Sequence, residues 1–247
     1  ECPGTLRLFV GEDTAPTPDF IKNAAIDALA ANKTYYTPNA GYPSLRETIA
    51  RHQSRLHGAP VEPGEVIVTG SGMVSIILAV QATLNPGDSA IVLSPVWPNI
   101  AATIRVRGCD PIEVPLTLGT RGFEIDYDRI ERAIQPNTRM LVLASPGNPT
   151  GWTASMDDWR RLLEICQRHD LWLVADGVYE RLMLDPEHAV APSPWSLPEA
   201  RRRTIIAQSF SKAYRMTGWR LGYLIAAPEM ARTLTFLQEF VVSHAFG

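Results

Sequence analysis

The sequence has no long apolar run, no signal-peptide pattern and no excess of charge of one sign. No apolar stretch among its 247 residues is long enough to cross a membrane. The N-terminal stretch "ECPGTLRLFVGED" has neither the basic nor the apolar region of a signal peptide. The net charge of -3 gives no reason to expect a nucleic acid or an acidic membrane as a partner. These absences argue against a membrane-spanning, secreted or nucleic-acid-binding protein.

Cysteine is also scarce. The three cysteines, Cys2, Cys109 and Cys166, are an odd number and lack the spacing of metal ligands. Unpaired thiols in this number are typical of a reducing compartment. We therefore expect no metal site and a cytoplasmic location.

Apolar strand-like runs alternate with helical patterns along most of the chain. Strands are predicted at "VIVT", "SAIVLS", "IEVP", "RMLVLAS", "LWLVAD", "TIIAQS" and "LGYLIAA". Helices are predicted at "MVSIILAVQATL", at residues 97–107, at "DYDRIERAI" from Asp126, and at "SMDDWRRLLEICQRH" capped by Ser155. The Pro-rich residues 185–200 are predicted to form a surface loop. The pattern predicts an α/β fold, a three-layer α/β/α sandwich with a mainly parallel sheet.

In such a sheet, ligands bind at the carboxyl ends of the strands. "GSGM" follows "VIVT", so Ser71, Gly72 and Met73 would present free backbone N–H groups at a helix start. This stretch alone is weak evidence for a phosphate site, because Gly-Ser turns before helices are common. It matches neither a dinucleotide fingerprint nor a Walker loop.

Two other strand ends carry an aromatic ring and an amide. Trp97 follows "SAIVLS", where it could pack in the core or stack on a planar heterocycle. Asn148 sits within "PGNPTG", a rigid turn in which it could serve the turn itself or donate to a ligand oxygen. From these residues alone, packing in the core is favoured for Trp97 and a role in the turn is favoured for Asn148.

A carboxylate, a phenol and an amine follow the last parallel strands. Asp176 ends a very apolar strand, so its buried carboxylate needs a partner, either a cofactor ring nitrogen or a structural cation. Tyr179 lies one helical turn further on. Lys212 follows "TIIAQS", and an amine among apolar walls and cations has a lowered pKa and can form a Schiff base. Ser209, Ser211 and Arg220 surround that lysine in sequence and could hold a phosphate.

These strand-end groups form one inventory. A phosphate cradle, a stacking ring, an amide donor, a carboxylate for a ring nitrogen and an amine for an aldehyde are the groups that pyridoxal 5'-phosphate requires. The sequence therefore predicts a pyridoxal phosphate site.

The motifs that carry these residues resemble the pyridoxal-phosphate-dependent aminotransferases of class I/II, which have fold type I and form the aspartate aminotransferase superfamily. The resemblance covers essentially the whole chain, through "VGEDTAPTP", "YYTPNAGYPSLRETIA", "SPVWPN", "SPGNPTG", "DGVYE" and "SFSKAYRMTGWRLGY". The last motif is the most specific of them.

The resemblance implies a role for each candidate residue. It implies catalytic roles for Lys212, Asp176 and Tyr179: Lys212 forms the Schiff base and shuttles a proton, and Asp176 contacts the pyridine nitrogen. The implied cofactor-binding residues are Ser71, Gly72, Met73, Trp97, Asn148, Asp176, Tyr179, Ser209, Ser211, Lys212, Arg220 and Tyr36. The implied substrate-binding residues are Gly11, Trp97 and Asn148. Tyr36 would reach the phosphate of a neighbouring subunit, which implies a homodimer with shared active sites.

The resemblance also implies a domain organisation. Residues 1–34 match an N-terminal arm or segment of a small domain, and residues 35–247 match the cofactor-binding large domain. The C-terminal small domain, with the arginine that grips the substrate carboxylate, is expected to be absent from this chain. A fragment of this kind would keep most cofactor ligands yet catalyse poorly.

The activity implied is transfer of an amino group between an L-amino acid and a 2-oxo acid. Two alternatives stay open from the residues. One is a lyase on the same scaffold, either a β-lyase or an enzyme resembling aminocyclopropane-carboxylate synthase. The other is the cofactor-binding sensor domain of a transcription regulator.

Overall fold

The structure is a computed structural model that describes residues 11–120, 122–185 and 187–245. Cys2 and Val10, the first residue of the motif "VGEDTAPTP", lie outside these ranges. The α-helices are α1 Asp19–Ala30, α2 Pro43–His57, α3 Gly72–Thr83, α4 Asn99–Val106, α5 Tyr127–Ala133, α6 Met156–Arg168 and α7 Pro228–Val241. The strands are β1 Val66–Thr69, β2 Ser89–Ser94, β3 Asp110–Pro115, β4 Thr117–Gly119, β5 Gly122–Glu124, β6 Thr138–Ala144, β7 Trp172–Asp176, β8 Thr204–Ser209 and β9 Gly222–Ala226.

The main sheet has seven strands in the order β1-β9-β8-β7-β6-β2-β3. Strands β3, β2, β6, β7 and β8 pair in parallel, whereas β9 is antiparallel to both β8 and β1. All strands of this sheet except β9 therefore point the same way, which confirms the mainly parallel prediction. The carboxyl ends of six strands and the start of β9 meet along one edge.

Helices cover both faces of this sheet. One face packs against α2, α5 and α6, through a buried cluster that includes Ile49, Ile130 and Leu162. The other face packs against α3, α4 and α7, through Leu78 and Leu234 among others. Since successive strand residues point to opposite faces, a strand buried on both sides must be apolar at every position. The three-layer α/β/α prediction is confirmed.

Polar caps set where helices α5 and α6 begin, as the sequence indicates. The Ser155 Oγ accepts from the Asp158 N–H at 3.1 Å, and the Ser155 N–H donates to the Asp158 carboxylate at 2.7 Å. This reciprocal capping box starts α6. Asp126 caps α5 by accepting from the Arg129 N–H at 2.8 Å.

Several elements differ from the sequence prediction. The sequence patterns did not predict α1, α2, α7 or the β4–β5 hairpin. The helix predicted at residues 97–107 begins at Asn99, because Trp97 belongs to the turn that follows β2. The Pro-rich loop is not wholly on the surface: Trp195 is 1 % exposed, and its ring nitrogen donates to the Pro60 carbonyl. Within the described residues, no helix is both long and apolar enough to cross a membrane.

Gly222 marks a close approach of three chain segments at the functional edge of the sheet. A Cβ at this position would lie 2.7 Å from the Gln208 carbonyl oxygen, from the Gly72 nitrogen and from the Ser71 carbonyl carbon. All three are backbone atoms, which cannot move aside as a flexible side chain could.

We therefore expect Gly222→Ala to lower the free energy of unfolding by about 3 kcal/mol, the upper range for overpacking. Chemical denaturation measures this change. The matched control is Gly64→Ala, because a Cβ on Gly64 meets nothing within 4 Å. Equal stability of the two variants would contradict the close approach.

Candidate active site

A cavity of about 630 Å³ opens at the carboxyl edge of the sheet. It is walled by the segments that follow β1, β2, β6, β7 and β8 and by the segment that leads into β9. Eleven of the candidate residues line it: Gly11, Gly72, Met73, Trp97, Asn148, Asp176, Tyr179, Ser209, Ser211, Lys212 and Arg220. Strand ends far apart in sequence thus meet at one site, as the rule for parallel sheets requires.

Two candidate residues do not line the cavity. Ser71 is buried directly behind the wall, where its Oγ caps α3 by accepting from the Val74 N–H at 3.1 Å. Tyr36 is 87 % exposed and packs edge-on against His244, with ring centroids 4.9 Å apart. Its contact with a neighbouring subunit stays a prediction.

The sequence patterns did not single out the remaining lining residues. They are Pro95, Val96, Pro98, Ala144, Pro149, Val178 and Thr217. Most are apolar wall residues, which carry no chemical signal in a sequence. Thr217 lies within "SFSKAYRMTGWRLGY", so its place in that stretch was the one available indication.

Asp176 is the most strongly perturbed acid in the cavity. The residue is 7 % exposed, and its carboxylate accepts a hydrogen bond from the Val178 N–H at 3.2 Å. Burial raises its pKa to about 6, against the opposing effects of that N–H and of the Lys212 charge. A carboxylate in such a place is stabilised in its charged form when a cationic group enters the cavity.

Tyr179 follows Asp176 on a tight turn and brings its phenol into the same space. Burial raises the pKa of this phenol, and the Asp176 charge raises it further, while a hydrogen bond with Asn148 opposes the rise. The phenol therefore stays protonated and can donate at neutral pH. Asn148 adds an amide from the turn after β6, so two neutral donors face one region of the cavity.

Lys212 extends into the cavity from the end of β8. Its Nζ contacts the Gly11 carbonyl oxygen and lies 5.8 Å from the centre of the Tyr179 ring. Burial lowers the pKa of this amine, and Arg220 lowers it too, against the opposing charges of Glu12 and Asp176. A lowered pKa increases the neutral fraction of the amine, which is the nucleophilic form.

Gly11 is confined by the groups that it contacts. A Cβ there would lie 3.2 Å from the Tyr179 hydroxyl oxygen and 3.3 Å from the Lys212 Nζ. A side chain at this position would press into the reactive centre. Glycine lets the backbone of residue 11 form one wall of the site without displacing either group.

One end of the cavity is suited to an anion. Gly72 and Met73 open the 12-residue helix α3, whose first N–H groups point out of the helix. Ser209 ends β8 and Ser211 follows it, and the Ser211 N–H donates to the Ser209 Oγ at 3.1 Å. Backbone donors, hydroxyls and a helix dipole thus converge on one end.

Arg220 brings a positive charge to this anion end through an unusual backbone conformation. Its φ angle of 54° places a non-glycine residue in the left-handed region, which costs about 1 kcal/mol. Its Nη1 donates to the Thr217 carbonyl at 2.7 Å. Since a guanidinium has five N–H donors, others remain for a ligand. Because β9 runs opposite to its neighbours, the residue just before it lies at the carboxyl edge.

These groups fit one cofactor. The buried Asp176 carboxylate matches a protonated ring nitrogen, the two neutral donors match a phenolic oxygen, and the anion end matches a phosphate ester. Trp97 lines the wall between them and can stack on a flat ring. The fold and this cavity are therefore those of a protein that binds pyridoxal 5'-phosphate.

Comparison with known proteins gives the family. The chain belongs to the family described as "Aminotransferase class I and II", which matches residues 5–247. Members of this family use pyridoxal 5'-phosphate, so the cofactor expected from the residues agrees with the family.

Curated relatives and solved structures support this membership. The chain is 43 % identical over 218 residues to a probable aspartate/prephenate aminotransferase of Thermus aquaticus, covering 88 % of this chain and 55 % of the relative. It is 37 % identical over 220 residues to an arginine–pyruvate transaminase of Pseudomonas aeruginosa, covering 89 % of this chain and 55 % of the relative. A solved aspartate aminotransferase of Thermus thermophilus superposes with a TM-score of 0.90 at 38 % identity, covering 97 % of this chain and 61 % of that one. The chain thus spans little more than half the length of these relatives.

The burial of Asp176 predicts a pH-dependent stability. In the cofactor-free folded protein this carboxyl keeps its proton from its ordinary pKa of 3.8 up to about 6, whereas the unfolded chain releases it near 3.8. The folded state binds more protons in this window, so rising pH removes stability there. Asparagine does not titrate, so the Asp176→Asn variant does not lose stability as the pH rises through this window. We expect Asp176→Asn to be more stable than the wild type above about pH 7, by up to about 3 kcal/mol, with the difference closing below about pH 4.

Thermal unfolding of both cofactor-free proteins across this pH range measures the difference. The comparison isolates Asp176, because every other titrating group is common to the two proteins. A stability difference that stays constant with pH would contradict the raised pKa.

The placement of Arg220 predicts an effect on cofactor binding without an effect on folding. Arg220→Gln removes a positive charge from the anion end, so the Kd for pyridoxal phosphate should rise about 10-fold to 100-fold. The exposed side chain contributes little to the cofactor-free fold, whose stability should change by less than about 0.5 kcal/mol. Fluorescence titration and thermal unfolding measure the two quantities.

The matched control for this variant is Arg202→Gln, since Arg202 is exposed and does not line the cavity. Its Kd should equal that of the wild type. Equal weakening of cofactor binding by both variants would show that net charge, rather than the position of Arg220, governs affinity.

Proposed function

We propose that this chain is the cofactor-binding part of an aminotransferase, which moves an amino group between an L-amino acid and a 2-oxo acid. The observation that carries the proposal is the meeting of Lys212 and Asp176 in one cavity, with the anion end of α3 beside them. An amine for an aldehyde and a carboxylate for a ring nitrogen serve transamination only when both face the same small volume.

The bound cofactor supplies an aldehyde carbon and a ring that withdraws electrons from it. The chain's residues orient that ring. Asp176 would keep the proton on the ring nitrogen, and that cation would lower the pKa of the carboxyl from its raised value. Asn148 and Tyr179 would donate to the phenolic oxygen, while Trp97 would stack on the ring and help to exclude water.

Lys212 is the proposed acid–base group. Its Nζ would hold the cofactor through the aldehyde carbon. Once free, the same amine would accept a proton from the substrate Cα and return it on the cofactor side. The lowered pKa of Lys212 suits this task, since the amine must accept a proton near neutral pH.

The proposed substrates are an L-amino acid and a 2-oxo acid. The proposed substrate contacts are the Gly11 backbone, Trp97 and Asn148, and the fact that all three line the cavity supports this role. The curated relatives above are named for aspartate, prephenate, arginine and pyruvate. These names favour a transaminase over the lyase and regulator alternatives, and they differ too widely to choose one amino acid.

The proposal includes a homodimer in the cytoplasm. Tyr36 is 87 % exposed and stands outside the cavity of its own chain, which supports a role at the phosphate of a neighbouring subunit. Cys109 and Cys166 are buried free thiols, and such thiols are typical of a reducing compartment. We further propose residues 1–34 as the N-terminal arm and residues 35–247 as the large domain.

The full-length protein tests the activity directly. After loading with pyridoxal phosphate it should show a visible absorbance band, and borohydride should fix the cofactor to Lys212. An amino acid substrate should convert this band to that of the pyridoxamine form, and a 2-oxo acid should restore it. Lys212→Ala should lose the borohydride adduct and at least about 1,000-fold of the turnover, the scale of a lost acid–base and nucleophilic group.

The outcomes separate the three activities. Release of pyruvate and ammonia in place of the pyridoxamine band would indicate the lyase. A cofactor band that no amino acid converts would favour a sensor. A wild-type protein with neither a visible band nor a borohydride adduct would contradict the proposed function altogether.

A further inference from the structure

The turn that carries Tyr179 has two faces. Val178 and Tyr179 line the cavity, whereas the next residue, Glu180, is only 8 % exposed and is held outside it. The turn is tight, because the Glu180 N–H donates to the Gly177 carbonyl at 2.9 Å. A carboxylate therefore lies buried behind the residue that presents the phenol.

Two side chains from α2 bind this carboxylate. The Gln53 Nε2 donates to the Glu180 Oε1 at 2.7 Å, and the His57 Nε2 lies 3.0 Å from the Oε2. Each carboxylate oxygen thus has its own partner. The Gln53 Nε2 also donates to the Tyr223 hydroxyl at 2.8 Å, so both of its hydrogens are used. We call Gln53, His57, Glu180 and Tyr223 the α2 brace.

The brace is nearly dry. Gln53 is 2 % exposed, Tyr223 is 5 % exposed, and the side chains of His57 and Glu180 are 6 % and 10 % exposed. Burial and then the Glu180 charge raise the pKa of the Tyr223 phenol, which keeps it protonated. A buried carboxylate with its polar partners adds little stability compared with apolar residues of the same size. The brace instead fixes the orientation of the Glu180 carboxylate, because one orientation satisfies both partners.

The same helix also contacts the segment that carries Lys212. The Tyr214 hydroxyl lies 3.3 Å from the His52 Nε2. Phe210 packs between Tyr214 and Tyr223, with its ring centre 5.4 Å from each. One helix therefore supports, from behind, both the turn of the phenol and the loop of the amine.

We propose that Glu180 is a positioning residue, which the α2 brace holds so that the Tyr179 phenol points at the phenolic oxygen of the cofactor. This inference rests on the proposed function, since it assigns a cofactor atom to that phenol. Glu180 touches neither cofactor nor substrate. It acts by fixing the backbone of the turn, in which the side chain just before it, that of Tyr179, is the donor.

The first readout is the turn itself in cofactor-free full-length protein. Glu180→Gln removes the charge that pairs with His57, and His57→Ala removes that partner. Both variants should speed hydrogen exchange at the amides of residues 178–182 by about tenfold, the effect of losing one charged hydrogen bond. His57→Gln keeps an N–H donor at this position and should restore slow exchange.

The second readout is the visible band of the loaded protein. When the Tyr179 phenol donates to the phenolic oxygen of the cofactor, it stabilises the negative charge of that oxygen. The oxygen then attracts the proton on the Lys212 nitrogen less strongly, so this nitrogen loses its proton at a lower pH. Misplacing that phenol should raise the pH midpoint of the band by about one unit in Glu180→Gln and His57→Ala. The double variant should shift it no further than either single variant, because both changes break one interaction.

The matched control is Leu162→Ala, a fully buried residue on α6 that packs in the same core and is not part of the brace. This variant should lower the melting temperature while leaving both readouts at wild-type values. This control separates general destabilisation of the fold from loss of the orientation of the Tyr179 phenol.

The outcomes distinguish the two proposals. Faster exchange in the turn with a raised midpoint, and rescue by His57→Gln, support the positioning role. A normal wild-type band whose midpoint neither brace variant changes would overturn that role and leave the proposed function standing. A wild-type protein without any visible band would overturn the proposed function, and the positioning role with it.

Discussion

The site depends on one constraint: the Asp176 carboxylate lies at the end of β7, where water hardly reaches it. Burial raises its pKa to about 6, so the charged form of this carboxyl is destabilised in the cofactor-free fold. A protonated ring nitrogen beside it would stabilise the charged form by forming an ion pair. In the proposed complex the surrounding groups would meet the rest of the cofactor: Tyr179 its phenolic oxygen, Arg220 its phosphate and Lys212 its aldehyde.

The sheet explains how these groups meet. Parallel strands deliver their carboxyl ends to one edge, which accounts for the residues that follow β1, β2, β6, β7 and β8. Arg220 precedes its strand, and it reaches the same edge because β9 runs in the opposite direction. The backbone of Gly222 allows this arrangement, since any side chain there would strike the start of α3. One reversed strand thus completes the anion end, and helix α2 supports the site from behind.

Much of this arrangement could be predicted from the sequence, because its signals are local. Uniformly apolar strands reveal a doubly covered sheet, and a polar residue just after such a strand reveals the functional edge, as for Asp176 and Lys212. Signals that depend on distant contacts were missed. Gln53 meets Glu180 across 127 positions of sequence, and no local pattern distinguishes it from a surface glutamine. Helix α1 was missed for another reason: it has no buried residue, so it lacks the apolar periodicity of a packed helix.

The central claim is that Asp176 serves the ring nitrogen of the cofactor. Pyridoxal phosphate labelled with ¹⁵N in its ring, bound to the full-length protein, tests this claim by NMR. The account predicts the chemical shift of a protonated ring nitrogen that persists at about pH 8, well above the pKa of a free pyridine, because a buried carboxylate retains the proton. It predicts loss of that signal in Asp176→Asn. An unprotonated ring nitrogen in the wild-type complex would contradict the account.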